Sequence, residues 1–329
     1  MRRAVKTRTE KSHKGFGKII LFGEHFVVHG AEALVAGICE YTTCALQLLP
    51  NKPNVVEVED LRPAVPGYIA EKREEQRVAH GLVLKHLKID TSTDGLRITL
   101  GGSLVPSSGI GASASDVVAL SRALGELYGV QLTEEEVNQS AYAGECGYHG
   151  TPSGVDNTAA TYGGLISFFR EEKRSVFSRI AVAIPLFLVV CSTGITASTS
   201  KVVADVARLK SSNPSLFEEL VRKYSACVKR AKLALLSGNI LELGKLMDVN
   251  HALLKELTVS CKELDAIVQS ARSCGALGAK MSGTGRGGLV VVLAADARES
   301  ERIAGELKHQ CLEAKFVWQY TVYPLPGKL

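Results

Sequence analysis

The chain has 329 residues, 46% of them hydrophobic and 22% charged, with 39 basic against 34 acidic side chains for a formal net charge of +5. That composition describes an ordinary globular protein with room for one large or two medium domains. No apolar run approaches the ~20 residues of a membrane span, and 6% aromatics argue against an RNA-binding face of interleaved basic and aromatic side chains.

Much of the positive charge sits at the start, where Arg2, Arg3, Lys6, Arg8, Lys11 and Lys14 face only Glu10. Residues 1–14 read as a disordered basic tail that lacks the apolar core of a secretory signal. Gly17-Lys-Ile-Ile-Leu-Phe-Gly23 is then a short apolar strand, with a loop from Glu24 to Gly30. Lys18, Glu24 and His25 flank that strand, and charges near a core need partners. A surface hairpin with incidental charges is the plainer alternative. Strands are predicted at 40–49, 55–59 and 96–100, and an amphipathic helix at 71–86.

The stretch Val105-Pro-Ser-Ser-Gly-Ile-Gly-Ala-Ser-Ala-Ser115 leads into a helix with apolar residues at Val117, Leu120, Leu124 and Leu127 and a stop at Gly129. A glycine loop opening a helix aims unpaired N–H groups and the positive end of the helix dipole at one point, which suits phosphate. It matches neither the P-loop pattern nor the dinucleotide fingerprint, and a glycine turn that merely packs closely is the alternative. Ser113 and Ser115 add first-turn hydroxyls of the kind a nucleotide-bound magnesium ion uses.

Thr133-Glu-Glu-Glu136 is a capping box whose helix carries Glu145 toward a loop from Cys146 to Asn157. Asp156 lies among small residues close to the start of a further short helix, a place where Asp is often just a cap. Strands at 165–169 and 186–191 bracket a polar segment, and the domain boundary is placed near Ile180. The second half reads as helix-rich. A hydroxyl-rich loop, Thr193 to Ser200, precedes a helix from about Lys201; Asn213-Pro214 caps the next, which runs to about Leu236; another spans Ile240 to Leu257. Ser260-Cys-Lys-Glu263 reads as a second capping box, for a helix ending at Gly275. A second glycine cluster, Gly278-Ala-Lys-Met-Ser-Gly-Thr-Gly-Arg-Gly-Gly288, precedes an apolar strand at 289–293. The eight cysteines have neither CxxC nor metal-type spacing and read as small buried hydrophobes.

Taken together, these clusters resemble the GHMP kinase superfamily over nearly the whole chain after residue 14. Within it, Gly17 to Gly30, with its Gly23-Glu-His25, and His149-Gly-Thr-Pro-Ser-Gly-Val-Asp156 resemble the mevalonate kinase branch. The resemblance implies a two-domain α+β fold: an S5-like N-terminal domain over 15–180 and a ferredoxin-like C-terminal domain over 181–329, with the active site in the cleft between them. It implies ATP and Mg2+ as cofactors and mevalonate as the small-molecule partner. By that resemblance Asp156 is the base that takes the proton of the substrate's primary hydroxyl, and Lys18 lowers that hydroxyl's pKa. Ser107, Ser108, Gly109, Ile110, Gly111, Ala112 and Ser113 would wrap the ATP phosphates, braced by the 278–288 loop, while Ser113 and Glu145 would hold the metal. Lys18, Glu24, His25, Ser153, Asp156, Thr196 and Thr199 would contact mevalonate.

Three positions depart from the pattern. Phe16 stands where a proline usually precedes the Gly-Lys pair, Ala112 replaces the first of two serines, and Arg286 interrupts the last glycine run. None removes a proposed catalytic group, so an active enzyme is expected. A sister kinase acting on phosphomevalonate, homoserine or a sugar, and a non-catalytic RNA-binding protein of S5-like fold, are the alternatives. Neither nucleic acid nor membrane is an expected partner, and monomer and homodimer both stay open. The chain is expected in the cytoplasm. Its end, Gly327-Lys-Leu329, lies one residue type away from the Ser-Lys-Leu peroxisomal address, which is the alternative location.

Overall fold

The computed structural model describes residues 6–64, 66–106, 109–170 and 175–324. They pack as two compact units, one of residues up to Lys18 with Cys39–Gly163, the other of Ile19–Ile38 with the chain from Gly164. The boundary near Ile180 divides the chain by sequence order; packing divides it after Gly163 and sends 19–38 to the later unit.

In the first unit, strand β2 (Ala33–Leu49) pairs antiparallel through residues 42–49 with β4 (Gly95–Gly102), and β3 (Val56–Asp60) joins β4 in parallel. Parallel neighbours need a crossover, and helix α1 (Tyr68–His86) supplies it. Helices α2 (Ala112–Leu127) and α3 (Glu134–His149) pack with α1 in one layer. The apolar stripe on α2 is buried as its spacing predicts, with Val117, Leu120, Leu124 and Leu127 joining Val83, Leu96, Ile98 and Leu100 in one core. The capping box at α3 forms as expected: the Thr133 hydroxyl accepts from the Glu136 amide, and the Glu136 carboxylate accepts from the Thr133 amide. Strand β1 (His13–Phe22) contributes its residues up to Lys18.

Two expectations here are corrected. Residues 6–14 are not a disordered tail: Arg8 bridges Gln47, the Thr9 amide donates to Leu46 O, and β1 has begun by His13. Lys6 and His13 both pair with Glu126 on α2, at 3.1 and 2.6 Å, a partner too distant in sequence for local charge counting to find. Only residues 1–5 of that stretch lie outside the described residues. Likewise α3 continues through Cys146–His149, where a loop was expected, and the loop shrinks to 150–154 before α4 (Val155–Tyr162). The glycines there serve helix packing, since a Cβ on Gly147 would lie 2.5 Å from the Ala79 amide of α1.

In the second unit, residues 33–36 of β2 pair with β5 (Leu165–Arg170), which pairs with β6 (Ser175–Ile180). Strand β6 was not expected, because its Val176, Phe177 and Ile180 follow directly on the charged run Arg170-Glu-Glu-Lys-Arg174 and were read together with it as one polar segment. A second sheet has the order β10-β7-β9-β8, all antiparallel, from β7 (Leu186–Ser192), β8 (Gly278–Ser282), β9 (Leu289–Ala294) and β10 (Phe316–Val322). Helices α5 (Thr199–Ser212), α6 (Pro214–Ser237), α7 (Ile240–Glu256) and α8 (Lys262–Ser273) lie between β7 and β8, and α9 (Ala297–Gln310) lies between β9 and β10. That β-α-β-β-α-β order is the ferredoxin-like arrangement. The Ser260 capping box is corrected: Cys261 occupies the N-cap, and the Ser260 hydroxyl donates to Asp265 Oδ1 at 2.7 Å.

Segment 19–38 is fastened within this unit by α6. Tyr224 stacks on Phe26 at 4.3 Å and donates to Glu32 O at 2.6 Å, and Lys232 pairs with Glu32 at 2.6 Å. Among the described residues, no helix is long and apolar enough to cross a membrane.

Candidate active site

The glycine loop meets β1 at close range. The Lys18 amide donates to Ile110 O at 2.9 Å, and Gly111 opens α2 at φ +75°. A Cβ at Gly111 would lie 2.6 Å from Lys18 Cγ, so the loop needs glycine there both for its φ and for room. The Lys18 side chain is thereby buried, and its Nζ lies 3.0 Å from Asp156 Oδ1. Asp156 sits in the first turn of α4, but Gly154 holds the N-cap and no side chain caps that helix among the described residues. The carboxylate serves the lysine instead.

Glu145, on α3, is fully buried, and neither carboxylate oxygen finds a hydrogen-bond partner among the described residues. Burial, reinforced by the Asp156 charge and opposed by Ser113 and Lys18, pushes its carboxyl up to about 8. His149 Nε2 stands 3.8 Å from Glu145 and 3.3 Å from the Ser113 hydroxyl, and burial lowers its pKa, which keeps the ring neutral. A buried carboxylate with unused lone pairs, beside a hydroxyl, is a donor set that suits a hard divalent cation. Among the described residues no group of three or more His, Cys, Asp or Glu is placed to hold a metal ion by itself.

Beneath the start of α2 lies a polar network that the sequence did not disclose. Buried Asp116 accepts from Gln76 at 3.0 Å and from Tyr148 at 2.8 Å, and pairs with His80 at 2.9 Å. Arg62, clamped by Asp60, donates to the Ala112 carbonyl at 3.3 Å. Ala112, one of the departures, thus contributes its backbone to anchoring the loop. Phe16, another, lays its ring near Gly163, where a Cβ would come within 3.0 Å. Ser153 accepts from the Val155 amide at 3.3 Å, while Ser107 and Ser108 lie outside the described residues.

The second unit gathers the other candidates. Glu24 pairs with Lys280 of β8, and both side chains are wholly buried. Lys280 was missed, though a lone lysine in a run of small and apolar residues signals a buried partner. His25 takes the left-handed conformation at φ +59°, and its Nε2 lies 2.7 Å from Thr284 O. A carbonyl only accepts, so Nε2 carries the proton and Nδ1 is the bare nitrogen. Burial, aided by the Arg286 charge and opposed by that bond, lowers the His25 pKa. Thr199 Oγ1 meets Thr284 Oγ1 at 2.9 Å, and Thr196 is exposed in the loop before α5.

Residues 76–164 match the GHMP kinases N terminal domain, and residues 231–312 match the GHMP kinases C terminal family. The chain belongs to the GHMP kinase family. A crystal structure of Leishmania major mevalonate kinase in complex with R-mevalonate is 58% identical to this GHMP kinase, with a TM-score of 0.96, covering 99% of this chain and 100% of that one. The mevalonate kinase of Thermococcus gammatolerans is 33% identical over 304 residues, 86% of this chain and 89% of the relative. A Lactococcus lactis galactokinase complexed with galactose, 18% identical with a TM-score of 0.69 over 96% of this chain and 94% of that one, shares the fold alone.

Proposed function

We propose that this GHMP kinase transfers the γ-phosphoryl group of ATP to the primary C5 hydroxyl of mevalonate, giving 5-phosphomevalonate and ADP for isoprenoid precursor synthesis. The observation that carries the reading is the 58% identity, over nearly the full chain, to a mevalonate kinase crystallised with R-mevalonate. The buried Lys18 beside Asp156 supplies chemistry that fits it.

Asp156 accepts the proton of the C5 hydroxyl, and the oxygen forms its bond to the γ-phosphorus as the bond to the departing ADP oxygen breaks. The Lys18 ammonium steadies the negative charge that develops on the attacking oxygen. Phosphoryl transfer asks mainly for positioning and charge neutralisation. The amides of residues 109–113 at the start of α2 would hold the phosphates. Ser113 and Glu145 would hold Mg2+, which when bound neutralises phosphate charge. His25, Ser153, Thr196 and Thr199 would contact the rest of mevalonate, with neutral His25 offering Nδ1 as an acceptor, while Glu24, also expected at the substrate, is wholly buried against Lys280.

The test of function is ADP release by the purified protein with mevalonate, phosphomevalonate, galactose and homoserine in turn. Turnover with mevalonate is expected to exceed the rest by orders of magnitude; turnover with any other and not with mevalonate overturns the proposal.

A further inference from the structure

Arg286 is the one non-glycine residue between Gly285 and Gly288, and it holds φ +53°. An L side chain is strained in that conformation, and glycine is the low-strain choice. Strain of this kind persists where the surroundings use the side chain. Here they do. The Arg286 guanidinium pairs with Asp205 of α5 and donates through Nε to Thr258 O at 3.3 Å, while its amide donates to Val259 O at 2.8 Å.

The turn that carries Arg286 also carries Thr284. Its carbonyl accepts from His25, and its hydroxyl meets Thr199 in the first turn of α5. On its far side the Gly288 amide donates to Ile195 O at 2.8 Å, and a Cβ on Gly287 would lie 2.6 Å from that same oxygen. Helix α5 is therefore tied to the turn at two points: an exposed contact between two hydroxyls at Thr199, and the Arg286–Asp205 ion pair further along. The hydroxyl contact is weak by itself, because water competes for both groups.

We propose that Arg286 is a positioning residue for substrate specificity: by latching α5 to the 283–288 turn through Asp205, it keeps Thr199, Thr284 and His25 in fixed register. The inference rests on the proposed function in that His25 and Thr199 contact mevalonate, while Thr284 holds both of them. It goes further by giving a role to a residue that breaks the glycine pattern.

The experiment compares Arg286→Gly, Arg286→Lys and Asp205→Asn in the full chain, reading KM for mevalonate and for ATP, the melting temperature, and amide hydrogen exchange across α5. Glycine relieves the strained φ, so a purely structural role predicts a variant of equal or greater stability with unchanged kinetics. A latch predicts that Arg286→Gly and Asp205→Asn each raise KM for mevalonate about fivefold, leave KM for ATP unchanged and speed exchange in the first turns of α5. Arg286→Lys keeps the charge and is expected to recover much of the loss. Should Arg286→Gly disturb the turn itself, Asp205→Asn removes the same ion pair without touching its backbone. Unchanged mevalonate KM and unchanged α5 exchange in both variants overturn the latch. A wild-type protein inert toward mevalonate overturns the functional reading instead, and exchange at α5 then decides the latch by itself.

Discussion

Lys18 Nζ and Asp156 Oδ1 lie 3.0 Å apart, with the lysine side chain 4% exposed and the aspartate 28%. The asymmetry matters. A cation enclosed by the glycine loop has few rotamers left, while its carboxylate partner stays partly open to solvent. An exposed pair at the same distance would be worth little and would hold nothing in place. The pair depends on three separated segments, β1, the loop before α2 and the first turn of α4, which is why it belongs to the fold rather than to any one motif.

Asp156→Asn keeps the shape and removes the proton acceptor. Turnover with mevalonate is expected to fall by ~10²–10⁴, the range of a positioned general base, with nucleotide affinity nearly intact. Steady-state kinetics and a nucleotide-binding titration check this together. Retention of more than about a tenth of kcat would show that Asp156 only orients Lys18.

The raised carboxyl of Glu145 gives a pH signature. A folded pKa of about 8, against an ordinary value of 4.5, means that the folded protein holds a proton the unfolded chain has already released. Between those values the contribution of this group to stability falls as pH rises, and above about 8 it levels off. Metal binding needs the ionised form, so Mg2+ affinity is expected to climb over the same window. Melting temperatures from pH 5 to 9, with and without Mg2+, check both trends. Glu145→Gln should flatten the pH slope and lose the metal response; identical profiles for variant and wild type would refute the assignment.

Local patterns in the sequence were legible wherever neighbours in the chain decide the structure. The α2 stripe, the Thr133 capping box and the Asn213-Pro214 start all read correctly, because each depends on residues within a few positions. Of the candidate site, Lys18 and Asp156 were expected at one substrate hydroxyl through family resemblance, not from spacing, and the close approach of Gly111 to Lys18 was not foreseen. What stayed hidden was set by distant partners. Glu126 organises the basic N-terminal run, Lys280 sits opposite Glu24, and Asp116 collects Gln76, His80 and Tyr148 beneath the start of α2. Strand β6 was hidden for a different reason: it is short, largely exposed and runs on from a charged stretch, so its Val176, Phe177 and Ile180 did not stand out.

The Lys280–Glu24 pair should show the cost of a half-removed buried ion pair. Both side chains are 0% exposed, so Lys280→Met removes the ammonium that pairs with a buried carboxylate. The expected destabilisation is about 3–5 kcal/mol. Adding Glu24→Gln removes the buried negative charge and should recover part of that loss in stability, though not activity. Denaturant titration of the two variants is the measurement. A single variant as stable as wild type, or a double variant less stable than the single, would count against the pairing as described.

Gly111→Ala tests whether the loop really sets the position of Lys18. Two penalties are expected: the left-handed φ of +75°, and a new Cβ 2.6 Å from Lys18 Cγ. The first costs about 1–2 kcal/mol for an L residue. The second forces the lysine chain aside and with it Nζ from Asp156. Gly238→Ala separates the two, because Gly238 has nearly the same φ of +72° at the end of α6, and a Cβ there meets only ordinary contacts, the nearest at 3.4 Å. Both variants should lose similar stability from the backbone. Only Gly111→Ala should lose kcat, by about tenfold or more, as misplacement of a reacting group by a fraction of an ångström is costly. Equal kcat in the two variants would mean that Lys18 adjusts freely, and that the close approach of loop and strand serves packing alone.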